Sequence, residues 1–288
     1  HWIISGLSGA LFLLLVWSLI EPYIIVTKHV TVDLDAPAPF SVALISDIQT
    51  SPLKRVSFVD RVIDKILEED VDAVLYAGDF INNETPLDKE VPHLSALTRL
   101  VKEVPMIAVY GNHEYGISNP ALPPAHPDVH EKVAEEVRDL GITLLENEII
   151  TKMSDHGPPL FEIYGFDDLW NPNGATANIP SRSIEVRDQD GNTTNHVPRI
   201  ALSHNPDAVF MVDKSVMDMV VSGHTHGGQI RLPFIGAFIK VSTALPTKFY
   251  KGLSRQNEIP LYVTSGLGES GPPMRLLNRP EIVILHIE

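Results

Sequence analysis

Five short clusters of carboxylate, amide and imidazole side chains each follow an apolar run, and these residue types can bind metal ions. Carboxylate oxygens, an amide oxygen and neutral imidazoles suit divalent Mn, Fe or Zn better than Ca, which prefers oxygen ligands alone. The number of donors indicates two ions, and two ions that share a carboxylate can activate water for in-line attack on phosphorus. The clusters therefore predict hydrolysis of a phosphoester or pyrophosphate. They are Asp47-Ile48-Gln49, Gly78-Asp79, Gly111-Asn112-His113-Glu114, Ser203-His204 and Gly223-His224-Thr225-His226.

The apolar runs before these clusters are short, partly β-branched and bounded by polar residues, which is typical of buried strands. Helical stripes separate the first three runs, and this alternation predicts a mainly parallel sheet in an α/β fold. Because the carboxyl ends of parallel strands share one edge, we expect the clusters to converge there. The predicted strands are Phe40–Ile45, Ala73–Ala77, Met106–Tyr110, Arg199–Leu202 and Met217–Val221.

The rest of the chain contains three amphipathic helical patterns, one loop-like region and further strand-like stretches. The polar, turn-rich sequence between Asn171 and Pro198 predicts a long loop or inserted cap. The alternating stretches Leu261–Thr264 and Ile282–Ile287 predict strands of a second sheet packed on the first. The predicted helices are one with Ser57 as N-cap and an apolar stripe from Phe58 to Leu67, one over His93–Val104, and one from Val129 to Leu140 that Gly141 ends.

Composition excludes several classes of function. The chain has 288 residues, with 22 Lys and Arg against 37 Asp and Glu, which gives a net charge of -15 at pH 7. An acidic surface repels nucleic acid, so no nucleic-acid partner is expected. The absence of cysteine excludes disulfides, zinc-thiolate sites and cysteine nucleophiles. A single catalytic domain over residues 40–288 fits this length.

The first residues of the chain predict a membrane anchor. Trp2 to Ile20 carries no charge and is about long enough to cross a bilayer. We therefore expect residues 1–26 to form one N-terminal transmembrane helix and residues 27–39 to form an extended linker. This predicts a single-pass membrane protein with the bilayer as a partner, while Lys28 alone does not fix its orientation. The alternatives are a signal sequence and a buried helix of a soluble protein.

The ordered set D-x-[H], G-D, G-N-H-E, H and G-H-T-H, spanning Asp47 to His226, resembles the calcineurin-like metallophosphoesterases. The string Ser222–Gln229, with Gly266-Leu267-Gly268 and Arg279–Ile282 further on, is similar to the membrane-associated branch of YkuE, YaeI and LpxG type. This resemblance implies a four-layer α/β/β/α sandwich, here preceded by the transmembrane helix. It also implies two divalent metal ions.

The resemblance also implies a role for each site residue. The first ion would be held by Asp47, Gln49 and His226, Asp79 would bridge, and the second ion would be held by Asn112, His204 and His224. His113 would be a catalytic residue that lies beside the ions without binding them, and Glu114 would orient it. Asp79 would also be catalytic, because it bridges the two ions. The family usually has His where this chain has Gln49, and an amide is a weaker ligand than imidazole, so the first site is expected to bind its ion less tightly.

Three other features each permit a functional and a structural interpretation. Asp167 and Asp168 follow an apolar strand and either approach the site or form an Asx turn. Leu232–Ile239 is either packed in the core or forms an apolar wall that faces a bilayer or an acyl chain. Arg275 and Arg279 either contact phosphate or form salt bridges.

Two functional hypotheses follow. The first is a membrane-anchored hydrolase of a phosphoester or pyrophosphate bond, acting on a phosphorylated small molecule that is lipid-linked or nucleotide-linked, such as UDP-diacylglucosamine. The alternative is a non-catalytic accessory subunit of a membrane assembly that keeps a weakened metal site, and Gln49 favours it. Metal content and turnover of a generic aryl phosphodiester distinguish the two.

Overall fold

The structure, a computed structural model, describes residues 2–153, 159–174, 179–181, 186–187, 193–194 and 197–288. Two six-stranded sheets face each other, and two short hairpins lie outside them. The α-helices are α1 (Trp2–Ile20), α2 (Val56–Leu67), α3 (Leu97–Val101) and α4 (His130–Asp139). The strands are β1 (Val26–Val32), β2 (Phe40–Ile45), β3 (Ala73–Ala77), β4 (Met106–Val109), β5 (Thr143–Leu144), β6 (Glu148–Met153), β7 (Pro159–Gly165), β8 (Val186–Arg187), β9 (Thr193–Thr194), β10 (Arg199–Ser203), β11 (Met219–Ser222), β12 (Arg231–Leu232), β13 (Gly236–Ala237), β14 (Gly252–Gln256), β15 (Ile259–Val263) and β16 (Glu281–Ile287).

The first sheet has the order β1-β16-β2-β3-β4-β5. Strands β2 to β5 are parallel, as the β-α-β alternation predicted, and the bounds predicted for β2 and β3 are confirmed. The helices α2 and α4 cover one face of this sheet with apolar side chains such as Val62 and Val137. The second sheet covers the other face, which explains why β3 is apolar along its whole length.

The second sheet has the order β14-β15-β11-β10-β7-β6 and contains two of the strands that precede site clusters. The expectation that one sheet carries all five clusters is therefore wrong, because β10 and β11 pair with β7 and β15 and not with β2 to β4. Leu44 and Leu75 of the first sheet pack with Leu202 and Val221 of the second in one apolar cluster. This packing aligns the carboxyl ends of both sets of parallel strands at a shared edge.

The helices differ from their predicted bounds at their ends. The N-cap of α2 is Arg55, and no side chain caps the helix, so Ser57 lies inside it and is not its cap. The predicted helix over 93–104 is a 3-10 helix, Val91–Ala96, followed by the short α3. Gly141 follows α4 with φ of 90°, as expected of a residue that ends a helix in the left-handed conformation.

The segment predicted as a linker, residues 27–39, is partly a strand. Its first half belongs to β1, which pairs in parallel with β16 along its full length from Val26 to Val32. An ion pair between Lys28 and the buried Glu281 joins the two strands, with 2.7 Å between Nζ and Oε2. The linker prediction is therefore wrong for residues 27–32, because β1 completes the first sheet.

The N-terminal apolar segment is helical, and its side chains from Leu11 to Trp17 are exposed, which argues against a buried helix over this stretch. The buried Ser18 joins the helix to the domain, because its carbonyl accepts a hydrogen bond from the backbone of Arg275. Within the part of the chain that the structure describes, no helix is both long and apolar enough to cross a membrane.

The outer face of the second sheet is not covered by α-helices in the described ranges. It packs against a 3-10 helix, Pro206–Phe210, and against Leu245 and Tyr250 of the chain before β14. The outer layer expected from the four-layer sandwich is therefore built differently here. Much of the insert predicted between Asn171 and Pro198 lies outside the described residues, and β8 and β9 form a hairpin within it.

Candidate metal centre

The loops that follow the strands of both sheets meet at the shared edge of the sandwich. Five residues predicted as ligands have backbone conformations with positive φ, which is uncommon for residues other than glycine. Such conformations cost of order 1 kcal/mol each and persist where the surrounding structure holds them, most often at functional sites. The residues and their φ values are Asp47 (52°), Gln49 (47°), Asp79 (60°), His224 (66°) and His226 (48°).

Four of the predicted ligands form a tight cluster, which we call the second half-site: Asp79, Asn112, His204 and His224. The Oδ1 atom of Asn112 lies 3.1 Å from Nε2 of His204 and 3.0 Å from Nδ1 of His224. The Oδ2 atom of Asp79 lies 3.3 Å from the same His204 nitrogen. Donors that each lie about 2.1 Å from one ion are themselves about 3 Å apart, so these spacings fit a transition-metal ion.

The remaining ligands form the first half-site, which shares Asp79 and adds Asp47, Gln49 and His226. Donor atoms of Asp47, Asp79 and His226 lie within 4.8 Å of one another, and all three residues are buried. Nε2 of His226 is 3.5 Å from Oδ1 of Asp47. The Nε2 atom of Gln49 donates to Oδ2 of Asp79 at 3.1 Å. The structure thus brings together all seven predicted ligands.

Several donor atoms of the centre are buried without a hydrogen-bond partner. They include Oδ1 of Asp47 and Oε1 of Gln49, both in the first half-site. An unpaired buried polar atom costs roughly 1–3 kcal/mol, so a group of them around one point is unfavourable unless something binds there. The chemistry and placement of these donors therefore fit divalent metal ions.

Backbone carbonyls orient two of the imidazoles. Nδ1 of His204 lies 2.7 Å from the carbonyl of Ala77, and Nδ1 of His226 lies 3.1 Å from the carbonyl of Gly268. Each Nδ1 therefore donates a proton, so in the neutral imidazole the lone pair lies on Nε2, the nitrogen nearest the aspartates. Carbonyl partners of this kind are the usual supports of metal-binding histidines.

The electrostatics of the centre favour a charged Asp79 beside a charged His204 and neutral His224 and His226. Burial alone would lower the pKa of His204, but the charge of Asp79 outweighs burial and raises this pKa well above its usual value. Burial alone would raise the pKa of Asp79, but His204 and His113 outweigh it and hold this pKa well below the usual range. Burial raises the pKa of Asp47 to about 6 and lowers that of His224 to about 3. A neutral imidazole and an ionised carboxylate are the forms that bind metals.

His113 lies beside the predicted ligands and faces the cavity. Its backbone N–H donates to Oδ1 of Asp79 at 3.0 Å, and its Nδ1 is 2.6 Å from the carbonyl of Asn82, to which it donates. Its Nε2 lies 3.8 Å from Oδ2 of Asp79. Burial would lower the pKa of His113, but the charge of Asp79 outweighs burial and raises it. The imidazole can therefore present a proton at Nε2.

The expected role of Glu114, to orient His113, is wrong. The fully buried carboxylate instead accepts backbone N–H groups from the loops after β3 and β4, at 2.8 Å from Gly111 and 2.8 Å from Phe80. It also accepts from Asp79 and Ile81. The backbone carbonyl of Asn82, and not Glu114, orients His113. These contacts link distant loops and leave no local pattern in the sequence.

Glycine is required where the chain passes closest to the aspartates. A Cβ atom at Gly111 would overlap the carboxylate of Asp79, and one at Gly223 would overlap Ser46 and the carboxylate of Asp47. A rotamer change of Asp79 does not relieve the first overlap, because the backbone nitrogen of Asp79 would also lie only 2.5 Å from this Cβ. The glycines of the G-N-H-E and G-H-T-H motifs therefore leave the space that the carboxylates of Asp79 and Asp47 occupy.

The other sequence candidates are structural or peripheral. Asp168 accepts a hydrogen bond from the backbone N–H of Trp170, which supports its interpretation as an Asx-turn residue. Its other carboxylate oxygen, Oδ2, is buried without a partner. Asp167 accepts the hydroxyl of Tyr115 at 2.6 Å. Arg275 is fully buried and donates to backbone carbonyls including that of Gly268, so the phosphate-contact interpretation is wrong for it.

A cavity of about 240 Å³ opens onto the centre, and some of its wall escaped sequence analysis. The ring of Trp170 packs edge-on against His224, with 4.6 Å between ring centroids. Lys240 provides a cation in this wall. Neither residue lies in a metal-ligand motif, so only the tertiary structure assigns them here. Arg279 is exposed and is absent from the lining, which comprises Asp79, Asn112, His113, Ser118, Asn119, Trp170, His224, His226, Lys240, Val241, Ser242 and Ser270.

Similar proteins carry the same family assignment. The family model described as calcineurin-like phosphoesterase matches residues 40–228. The chain is 28% identical over 254 residues to the phosphodiesterase YaeI of Escherichia coli, covering 88% of this chain and 84% of the relative. It is 28% identical over 254 residues to the uncharacterized metallophosphoesterase YkuE of Bacillus subtilis, covering 86% and 79%.

A relative from Danio rerio, named a transmembrane protein with metallophosphoesterase domain, is 30% identical over 247 residues, covering 83% of this chain and 51% of the relative. The family model spans all the clusters from Asp47 to His226, and it extends over more than half of the chain. The chain therefore belongs to the calcineurin-like phosphoesterase family, and this membership supports metal-dependent hydrolysis of phosphoesters.

Proposed function

We propose that this chain hydrolyses phosphodiester or pyrophosphate bonds with two divalent ions, Mn, Fe or Zn, at a membrane surface. The observation that carries the two-ion proposal is the position of Asp79, whose carboxylate is shared by two sets of donors. One set contains Asp47, Gln49 and His226, and the other contains Asn112, His204 and His224. Ions bound there would supply Lewis-acid charge and lower the pKa of water.

The side chains around the ions would position the substrate and manage its proton. Asp79 contributes one negative charge to both half-sites, and His113 presents Nε2 to the cavity. We assign to His113 hydrogen bonding to the phosphoryl oxygens or protonation of the leaving oxygen. Trp170 packs edge-on against His224 and lines the same cavity. In this scheme Asp79 and His113 are the catalytic residues.

A phosphodiester or pyrophosphate on a small molecule fits the site best. The cavity volume of about 240 Å³ admits a phosphoryl group with its nearest substituents, and Lys240 offers a positive charge to a second phosphate. The net charge of -15 disfavours nucleic acid. The relative YaeI is named a phosphodiesterase, which supports a diester. A lipid-linked or nucleotide-linked substrate such as UDP-diacylglucosamine matches this chemistry and a membrane location.

We further propose that residues 1–26 anchor the chain in a membrane and that the domain proposed for residues 40–288 also includes β1. Exposed apolar side chains along α1, from Leu11 to Ile20, support this, since such a surface is unfavourable in water. The name of the Danio rerio relative, a transmembrane protein, adds support. Alkaline extraction of membranes from cells that produce the full chain tests the anchor, because an inserted helix stays with the membrane pellet.

Gln49 supports a second candidate, a non-catalytic accessory subunit with a weakened first half-site. Its Nε2 is directed at Asp79, so the amide donates to the shared carboxylate and only Oε1 remains for an ion. Metal analysis of the purified chain and its turnover of bis(p-nitrophenyl) phosphate distinguish the candidates. Two bound ions with turnover support the hydrolase, whereas one ion or none without turnover at saturating Mn supports the accessory subunit.

A further inference from the structure

The hairpin of β12 and β13, residues 231–237, and the two residues after it present an apolar surface to solvent. Phe234 is completely exposed, Ile235 is 70% exposed and Phe238 is 67% exposed. Core packing, one of the two interpretations of Leu232–Ile239, is therefore wrong for these side chains. Phe234 also has φ of 66°, which is unfavourable for a bulky residue and holds its ring at the tip. This apolar tip is therefore available for a contact outside the core of the domain.

The strand directions place α1 and this hairpin at the same edge of the molecule as the metal centre. Strand β2 runs toward the centre, β16 is antiparallel to β2, and β1 is parallel to β16. The first residue of β1, Val26, therefore lies at the edge of the metal centre, and α1 ends just before it. The hairpin starts five residues after the predicted ligand His226.

One short segment, residues 275–278, holds the end of α1 and the base of the hairpin together. The backbone of Arg275 donates to the carbonyl of Ser18, and the backbones of Leu277 and Asn278 donate to the buried carboxylate of Glu21 at 3.0 and 2.6 Å. On its other side, the carbonyl of Leu276 accepts from Arg231 at 2.9 Å. The helix end and the hairpin thus have a fixed relative position.

Charge around the hairpin has the opposite sign to that of the chain. The net charge of the chain is -15, yet no Asp or Glu occurs between Asp218 and Glu258. Basic residues near apolar side chains are attracted to anionic lipid headgroups. Lys240 follows the hairpin directly and lines the cavity of the metal centre. Of the basic residues between these two acids, Lys251 pairs with the buried Glu281 and Arg255 lies with Lys214 at the opposite end of the molecule. The basic residues near the hairpin are therefore Arg231, Lys240 and Lys248.

We propose that the tip formed by Phe234, Ile235 and Phe238 inserts into the lipid bilayer that α1 enters, as a second membrane contact. The inference rests on the membrane anchor proposed above. An apolar tip with basic neighbours binds an anionic interface by burying its rings at the headgroup boundary. Two contacts joined by residues 275–278 orient the domain, so the cavity that Lys240 lines opens beside the lipid surface. The substrate class that this favours has its phosphoryl group at the headgroup level.

Site-specific labelling of the full chain tests the insertion. The chain has no cysteine, so Phe234→Cys provides a single site for an environment-sensitive NBD fluorophore. The matched control is Lys214→Cys, which is exposed and lines a surface cavity with Leu34 and Asp35, beyond the far end of β1. Both labelled chains are reconstituted in vesicles of phosphatidylcholine and phosphatidylglycerol at about 3:1, with and without acyl-chain spin-labelled lipid.

If the tip inserts, the label at 234 emits at shorter wavelength, and spin-labelled lipid quenches it at least about threefold more than the label at 214. Chains that float with the vesicles but show equal quenching at both positions overturn the tip insertion and leave the anchor intact. Chains that do not float with the vesicles overturn both proposals. A spectral shift that grows with the protein-to-lipid ratio and resists lipid quenching indicates contact with a second copy, which also overturns the insertion.

The labelling result does not depend on turnover. A chain that lacks hydrolase activity but passes this test therefore contradicts the catalytic proposal alone. As a second readout, we expect the double variant Phe234→Asp/Phe238→Asp to hydrolyse bis(p-nitrophenyl) phosphate at the parent rate. Its turnover of a vesicle-borne diacyl lipid with a p-nitrophenyl phosphodiester should fall at least about tenfold, because orientation raises the effective substrate concentration. Equal turnover by parent and variant would refute the orienting role of the tip.

Discussion

Asp79 is the residue on which both halves of the metal centre depend, since its Oδ2 faces Gln49 on one side and His204 on the other. We expect Asp79→Asn to lose both ions and to lower hydrolysis at least about 10²-fold, because the neutral amide no longer compensates two cations. Metal content by mass spectrometry and diester turnover measure this. Asp213→Asn, at a fully exposed carboxylate, is the control and should match the parent. An Asp79→Asn chain with full metal content and rate would refute the shared site.

His113 should separate catalysis from metal binding. Its Nδ1 donates to the Asn82 carbonyl and its Nε2 faces the cavity, and His113 is not one of the predicted metal ligands. We therefore expect His113→Ala to retain its metal while kcat falls about 10²-fold or more, as for the loss of a proton donor or a phosphoryl hydrogen bond. Parallel metal analysis and kinetics test this. Loss of metal in His113→Ala would instead make His113 a ligand.

Gln49 should make the first half-site the weaker one. Its amide already donates to Asp79 and offers an ion only the neutral oxygen Oε1, a poorer ligand than imidazole for Mn, Fe or Zn. Activity should therefore rise with added Mn, and Gln49→His should raise occupancy and flatten this dependence. Metal stoichiometry and turnover against free Mn measure the difference. Two ions of equal affinity in the parent would show that Gln49 does not weaken the site.

At the scale of elements, Glu114 joins the loops after β3 and β4 through four backbone N–H groups. Glu114→Gln replaces one acceptor oxygen by a donor that faces the same N–H groups. We expect the free energy of unfolding to fall by about 1–3 kcal/mol, because a buried NH2 group then faces backbone N–H groups that have lost their acceptor. Urea unfolding measures this. The exposed control Glu135→Gln should change it by less than about 0.5 kcal/mol. Unchanged stability would contradict a bracing role for Glu114.

The elements that sequence analysis predicted well are those whose pattern is local. Strands β2 and β3 are apolar runs with polar ends, and their bounds matched. The assignment of β10 and β11 to a second sheet was not predictable in this way, because a buried parallel strand has the same pattern in either sheet. Strand β1 was missed because its exposed polar residues, His29 and Thr31, resemble a linker.

The candidate site was predictable where motifs carry it and not where tertiary contacts do. Donors such as Asp79 and His224 follow apolar strands, and the shared edge brings them together. Trp170 and Lys240 reach the cavity from loops without any metal-ligand spacing. The partners of Glu114 lie as far as 35 positions away, so no local pattern distinguishes it from a residue that orients His113.

At the scale of the whole molecule, the N-terminal strand decides where the domain begins. The family match starts at residue 40, but β1 pairs with β16 before that point and places Lys28 against Glu281. Burial would raise the pKa of Glu281, but Lys251 and Lys28 outweigh it and lower the pKa. Strand β16 is buried along its length except at His286, so without β1 it would become an exposed apolar edge.

We therefore expect a chain that starts at Glu21 to be folded, monomeric and metal-binding, and a chain that starts at Phe40 to aggregate. The first keeps β1, the contacts of Glu21 with Leu277 and Asn278, and the hydrogen bond of Lys54 to Pro22. The second exposes the backbone of β16 and removes one cation from Glu281. Light scattering after gel filtration, circular dichroism and metal content compare the two chains. Lys28→Met in the longer chain separates the ion pair from the strand pairing and should lower stability without aggregation, since the pairing remains. If the chain from Phe40 is equally soluble and stable, β1 is dispensable and the domain begins where the family match does.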